Sequence, residues 1–454
     1  MSMDLSPALG IQRRDVVVFV GAGGKTTAMF RAARELAAQG WRTVTTTTTR
    51  IGQDELRLTP HYLTLGEPPR LPVDFASVLA AHRNLFVFSD MAPPNKARGV
   101  SPGWLDEHLA RHTALDVVLV EADGSRQLPL KAPRPHEPPI PSLATLVVPI
   151  ASLSALGQPL DEEHIFGAAL IAARTGHPPG EPITAALIAT ILGDGEMGLK
   201  DVPPGARVVP LLNSVADEAL PAAREIAGRL LLNPRISHVV IAGVADPDAP
   251  PVREVRRKVV GVVLAAGLSE RMGEAKLLLP WGEGSTLIRE VCWQVAASGL
   301  PEVLVVTGAW REQVEAQIAG LPVRAVYNPR YEQGEMISSL QAALDATPEG
   351  VEAALVFLGD QPRVEPAVVA GLLTAYAEGR GRLIAPVYEG QRGHPVLLDR
   401  AYWGALRALP PDGAPRDVLR AHGEDVYELP VDTPSVLQDI DTPDDYQRAR
   451  GRGV

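Results

Sequence analysis

Short, uninterrupted apolar runs punctuate the chain, each ending in small or acidic residues. DVVVFV at 15–20 stops at Gly21-Ala22-Gly23-Gly24, and VVGVVL at 259–264 stops at Ala265-Ala266-Gly267. A run apolar on both sides of the pleat belongs to a strand covered on both faces. Helical periodicity after each such run makes α/β units around mostly parallel sheets. The same patterning predicts strands at 43–48, 85–89, 117–121, 146–149, 208–212 and 238–241, and helices at 26–39, 163–174 and 221–232. Beyond residue 258 it predicts strands at 303–307, 325–328, 354–358 and 383–386, alternating with helices. Between the two series lies ADPDAPPVR at 245–253, a composition that suits a linker. The expected organisation is a domain at 10–245, a linker at 246–257 and a second domain at 258–454, each a three-layer α/β fold.

Composition narrows what such domains can do. A chain of 454 residues is too long for one ordinary core, and 46% hydrophobic with 21% charged residues is the balance of a folded protein. A net charge of -11 argues against a broad nucleic-acid or anionic-membrane footprint, so any anion has to be met locally. The single cysteine, Cys292, excludes an internal disulfide framework and a Cys-rich metal site; between Val291 and Trp293 it reads as a core thiol. Without an apolar run of about 18 residues or a leader-like N-terminus, no membrane span is expected and the cytoplasm is the expected location.

Three separated segments of the second half carry candidate chemistry. In LAAGLSERMGEAK at 264–276, Leu264, Ala265, Ala266 and Gly267 bring backbone amides to a strand end without bulky side chains; Gly267 can take positive φ, and Arg271 and Lys276 can fold over an anion. In VFLGDQP at 356–362, Gly359 and Asp360 follow an apolar strand, where a carboxylate can hold Mg²⁺ between phosphate oxygens. In QDIDTPDDY at 438–446, Asp441 can complete such a site, or Asp441 and Thr442 can simply cap the helix that Pro443 begins.

These motifs, with TGAW at 307–310, YNPRYEQGEMISSL at 327–340 and GQRGHPVLL at 390–398, resemble the MobA-like nucleotidyltransferases, and within them the molybdenum cofactor cytidylyltransferases of the MocA type. The resemblance implies a Rossmann-like nucleotidyltransferase domain that transfers CMP from CTP to molybdopterin phosphate and releases pyrophosphate. Asp360 and Asp441 would hold Mg²⁺, and Arg271 and Lys276 would stabilise the triphosphate. Ala266, where guanylyltransferases of the superfamily resemble LAGG, favours CTP over GTP. Ser338 and His394 fall near the pterin side in this reading, while a helix-capping serine and a structural histidine are equally good accounts of them.

In the first half, FVGAGGKTT at 19–27 has the context of a phosphate loop, with Gly23, Gly24, Lys25, Thr26 and Thr27 opening a helix after a strand. Phe19 replaces the first glycine of the strict motif. VVLVEADG at 117–124 then delivers Glu121 and Asp123 to the sheet edge, a phosphate or metal site for ATP or GTP. Asn213 reads as a base-recognition remnant or as a turn residue. With the threonines at 45–49 and EADGSRQLPLKAPRPHEP at 121–138, the segment resembles the YqeC family of accessory proteins for selenium-dependent molybdenum hydroxylases. Lys131, Arg134, His136 and Glu137 line a substrate site or merely a Pro-rich surface loop. The fusion implies a cofactor-maturation enzyme whose partner is a molybdenum hydroxylase apoenzyme. The alternatives are a transferase using GTP or a sugar-phosphate acceptor, and a cofactor-carrying chaperone.

Overall fold

The computed structural model describes residues 3–93, 96–268, 275–282, 284–333 and 336–451. Its contacts divide the chain into two units, 1–256 and 257–454. Among the described residues, no helix is long and apolar enough to cross a membrane.

In the first unit Val16–Gly21 is buried because strands flank both its edges and helices cover both its faces. Val17 and Phe19 pack with Met29 and Phe30 of the helix Lys25–Ala38, while Val16, Val18 and Val20 pack on the other face with Phe75, Leu79 and Leu105. This alternation is the two-residue period of a strand between two layers. The main sheet runs in the order Val252–Arg257, His238–Ala242, Leu211–Asn213, Leu146–Ser152, Val16–Gly21, Val117–Glu121, Thr43–Thr47, Asn84–Phe88, Tyr62–Thr64. The central pairings are parallel, so the carboxyl ends at Asn213, Ser152, Gly21, Glu121 and Thr47 share one edge. A small antiparallel sheet of Arg50–Gly52, Asp90–Ala92 and Lys96–Arg98 is separate from it.

Four details depart from the sequence reading. The strand expected at 208–212 is two pieces, Arg207–Val208 and Leu211–Asn213, separated near Pro210, which has no N–H for the ladder. The helix expected from 163 starts at Ala168, behind Gly167, whose φ of 76° and approach to Ala132 O require glycine. The domain begins before residue 10: Leu5–Ala8 is helical, and Leu5 and Leu9 are buried in the core. The linker expected at 246–257 is largely structured. Val252–Arg257 extends the sheet, buried Glu254 meets Arg224 at 2.5 Å, and Arg31 donates to the carbonyls of Asp246 and Ala249.

In the second unit Val259–Ala265 is the central strand, parallel to Glu302–Thr307 on one side and Ala353–Leu358 on the other. The order is Arg324–Tyr327, Glu302–Thr307, Val259–Ala265, Ala353–Leu358, Val396–Asp399, Leu383–Tyr388, Gln391–Arg392, with Val396–Asp399 antiparallel to its neighbours. Val259 and Val263 pack on the helix Leu287–Ala297, and Val260 and Val262 pack on the opposite layer with Leu340 and Leu344. Cys292 is buried in the first of these layers, and burial pushes its thiol up to about 12, so it is inert packing. Both units are thus α/β folds with mostly parallel sheets, and each has its own cores.

Candidate functional site

In the second unit the strands Val259–Ala265, Glu302–Thr307 and Ala353–Leu358 end together, with Ala265 opposite Thr307 and Leu264 opposite Leu358. Gly359 donates its N–H to Leu264 O at 3.0 Å, and a Cβ there would come within 2.8 Å of that oxygen. The glycine therefore lets the loop carrying Asp360 close onto the central strand. Ala265 and Ala266 are buried at the same edge. Gly267 corrects an expectation: its backbone is outside the left-handed region, and an added Cβ would meet nothing within 4 Å among the described residues. Its small size therefore serves no strained turn.

Lys276 gathers the carboxylates. Its Nζ donates to Asp360 Oδ2 at 2.5 Å and to Asp441 Oδ1 at 2.9 Å, joining residues far apart in sequence. Burial opposes the ammonium's charge, but Asp360 and Asp441 outweigh it and hold the Lys276 pKa above its ordinary value. Asp360 Oδ1 is buried and accepts no hydrogen bond among the described residues. A hard divalent cation such as Mg²⁺ fits this oxygen donor set, taking one or two carboxylates and completing its shell from substrate phosphates and water. Among the described residues no cluster of three or more His, Cys, Asp or Glu is arranged to cage a metal. Arg271 lies outside the described residues.

Two further side chains, quoted within motifs but given no role by the sequence reading, make buried hydrogen bonds in this unit. Gln361, only 2% exposed, donates to Asp439 Oδ1 at 2.5 Å, and burial raises the Asp439 pKa. Asn328 is fully buried and donates to Ser338 Oγ at 2.9 Å and Ser339 Oγ at 3.2 Å. Ser338 is thus bonded inside the fold. His394 is half-buried, and burial brings its pKa down to about 4 against the opposing pull of Asp360.

The first unit builds a separate site at its own strand edge. Gly24 caps the helix Lys25–Ala38 at φ 115°, and a Cβ there would strike Asn213 Nδ2 at 2.3 Å. Asn213, buried, donates to Gly23 O at 2.7 Å and accepts from Val244 N at 3.1 Å, so its role is to fix the loop. Lys25 donates to Gly21 O at 2.7 Å and lies 3.4 Å from Asp123; Thr26 Oγ1 donates to Glu121 at 2.7 Å. Burial pushes Glu121 up to about 7 against the opposing pull of Lys25 and Thr26. Thr27 and Gly23 line a cleft of about 1100 Å³ that also takes in Glu121, Thr48, Arg50, Arg134 and His136. Arg134, His136 and Glu137 of the Pro-rich loop thus line this cleft, and Lys131 of the same loop is fully buried, 3.0 Å from Asp123 and 2.8 Å from Glu137.

Comparison with known proteins divides the chain in the same way. A family model described as the MobA-like NTP transferase domain matches residues 261–426, and one described as the YqeC protein matches residues 17–169. YqeC of Escherichia coli (strain K12) is 32% identical over 237 residues, covering 52% of this chain and 88% of its own length. The molybdenum cofactor cytidylyltransferase of the same organism is 28% identical over 192 residues, 42% of this chain and 95% of its own. Nicotine blue oxidoreductase of Paenarthrobacter nicotinovorans is 31% identical over 199 residues, again 42% of this chain and 95% of its own.

Proposed function

For a chain that belongs to the YqeC family through its first half and to the MobA-like NTP transferases through its second, we propose the transfer of CMP from CTP to molybdopterin phosphate. The second half is a nucleotidyltransferase, and the observation that carries the finer reading is the Asp360–Lys276–Asp441 group at the strand edge. The acceptor phosphate attacks the α-phosphorus of CTP while the bond to pyrophosphate breaks. The nucleophile is already anionic, so no side chain has to remove a proton; positioning and charge neutralisation carry the step. Ala265, Ala266 and Gly267 present backbone groups to the nucleotide, with space where a larger residue would stand. Lys276 neutralises the leaving pyrophosphate, with Arg271 as its expected companion. Asp360 and Asp441 would hold Mg²⁺, which supplies Lewis-acid neutralisation of the phosphates when bound.

The first half binds ATP or GTP on the loop Gly23–Thr27 and assists delivery of the finished cofactor to a molybdenum hydroxylase apoenzyme. Support for this comes from the fixed loop, the Glu121–Thr26 contact and the YqeC likeness. A redox role like that of the nicotine blue oxidoreductase relative is the competing reading for the second half, favoured by the 31% identity alone. Incubating the full chain with Mg²⁺, molybdopterin and CTP tests the choice: pyrophosphate release supports transfer, and turnover with a reduced nicotinamide but none with CTP supports the rival.

A further inference from the structure

The cleft of the first unit is wider than one triphosphate needs. It spans the ends of five neighbouring strands, from Asn213 through Ser152, Gly21 and Glu121 to Thr47, roughly 19 Å at the usual inter-strand spacing. The loop at Gly23–Thr27 occupies the middle of that row. Four cations, Arg50, Lys96, Arg126 and Arg134, line the cleft together with the carboxylates Glu55, Glu121 and Glu137. None of these four takes part in an ion pair among the described residues, whereas Lys25 and Lys131 below them are matched by Glu121, Asp123 and Glu137.

The cations are held in place. Lys131 is buried, donates to Gly124 O at 2.6 Å and pairs with Asp123 and Glu137, which pins both sides of the turn bearing Arg126 and Arg134. Arg126, Lys131 and Arg134 surround the Phe166 ring at 5.6, 4.6 and 5.0 Å. Arg126 and Gln127 adopt φ of 54° and 63°, conformations that non-glycine residues hold only when the surroundings impose them. The turn also abuts the phosphate loop, since a Cβ on Gly23 would come within 2.8 Å of Pro129 O. The ring attracts both guanidinium groups and Glu137 acts on Arg134, but the two cations still repel each other, and an anion between them relieves that repulsion.

Resting on the reading that Gly23–Thr27 holds a nucleotide, we infer that the same cleft binds a second ligand beside it. That ligand is a small, multiply charged anion of the phosphate-ester kind, held by Arg126 and Arg134 with Arg50 and Lys96 at the rim. The site is thus built for two substrates, one a nucleoside triphosphate and the other its anionic co-substrate.

Calorimetric titration of the full-length chain with inorganic pyrophosphate, in the presence of a saturating non-hydrolysable ATP analogue, tests this. The second half adds the same background to every variant. Wild type should retain a pyrophosphate-binding component with nucleotide bound. The exposed-residue variant Arg126→Ala/Arg134→Ala should weaken that component by about tenfold or more while keeping nucleotide affinity within about threefold. Arg126→Lys should keep part of it, and Lys25→Ala should lose nucleotide but not pyrophosphate. A component that vanishes once nucleotide is bound, or that survives loss of both arginines, overturns the second site. Equal binding of citrate overturns the phosphate-ester assignment. Nucleotide affinity unchanged in Lys25→Ala, with pyrophosphate still dependent on the arginines, sinks the phosphate-loop reading alone.

Discussion

Asp360 and Glu121 both stand at the ends of buried strands, yet their surroundings set them to different tasks. Asp360 shares the Lys276 ammonium, and among the described residues its other, buried oxygen has no hydrogen bond, which leaves it open to a cation in the proposed reaction. Asp360→Asn keeps the shape and removes the charge; transfer is expected to fall by roughly 100- to 1000-fold, as for loss of a preorganised charge-stabilising group, with the melting temperature little changed. Pyrophosphate release by this variant at the wild-type rate would remove Asp360 from the mechanism. Glu121 is pushed up to about 7 from 4.5 by burial. The folded chain therefore binds more protons than the unfolded chain between those values, and Glu121 makes stability fall as pH rises from about 4.5 through 7. Glu121→Gln, which still accepts from Thr26, should gain in melting temperature over wild type at pH 8 and lose that gain near pH 5. A difference that does not change with pH would contradict the burial argument.

The strand-end loops are the elements through which each site is made, and their glycines divide by function. Gly24→Ala forces a side chain into the left-handed region and against Asn213, a strain of about 1–3 kcal/mol, and should lower both stability and nucleotide affinity. Gly267→Ala adds a methyl group that meets none of the described residues, so the melting temperature should hold while KM for the nucleotide rises. An unchanged KM would mean that no ligand enters that space. Lys131→Ala takes the cation from half-buried Glu137 and one of two cations from buried Asp123, which keeps Lys25, and unfolding by urea should reveal a loss of about 1–3 kcal/mol.

These loops also mark where sequence was informative. Apolar runs ending in glycine or aspartate located the strands and hence Asp360, Glu121 and the glycine loop at 21–24, because strand burial and strand-end chemistry are local signals. Asn213 and Asn328 were not legible as supports, since each acts through contacts with residues distant in sequence or packed across the fold, and periodicity carries no information about those partners. Lys131 was equally ambiguous: a lysine in a Pro-rich stretch reads the same whether exposed or sealed between two carboxylates. The strand Val252–Arg257 was masked by the prolines just before it, although its buried Glu254 pairs with Arg224 and Arg256.

At the scale of the whole molecule, two units, each with its own sheet and cores, have been joined in one chain. A sheet with helices on both faces is self-sufficient, so the segment 257–454 should fold alone and retain transfer, and scanning calorimetry of the full chain should resolve two transitions. The pairing of a YqeC half with a MobA-like half gives the transferase its proposed setting in molybdenum-enzyme maturation. The most direct test of that account is pyrophosphate release by the full chain with Mg²⁺ and molybdopterin, CTP and GTP being supplied in parallel. Release with CTP, coupled to CMP appearing on the pterin phosphate and lost in Asp360→Asn, is the predicted result; release with GTP and none with CTP would contradict it.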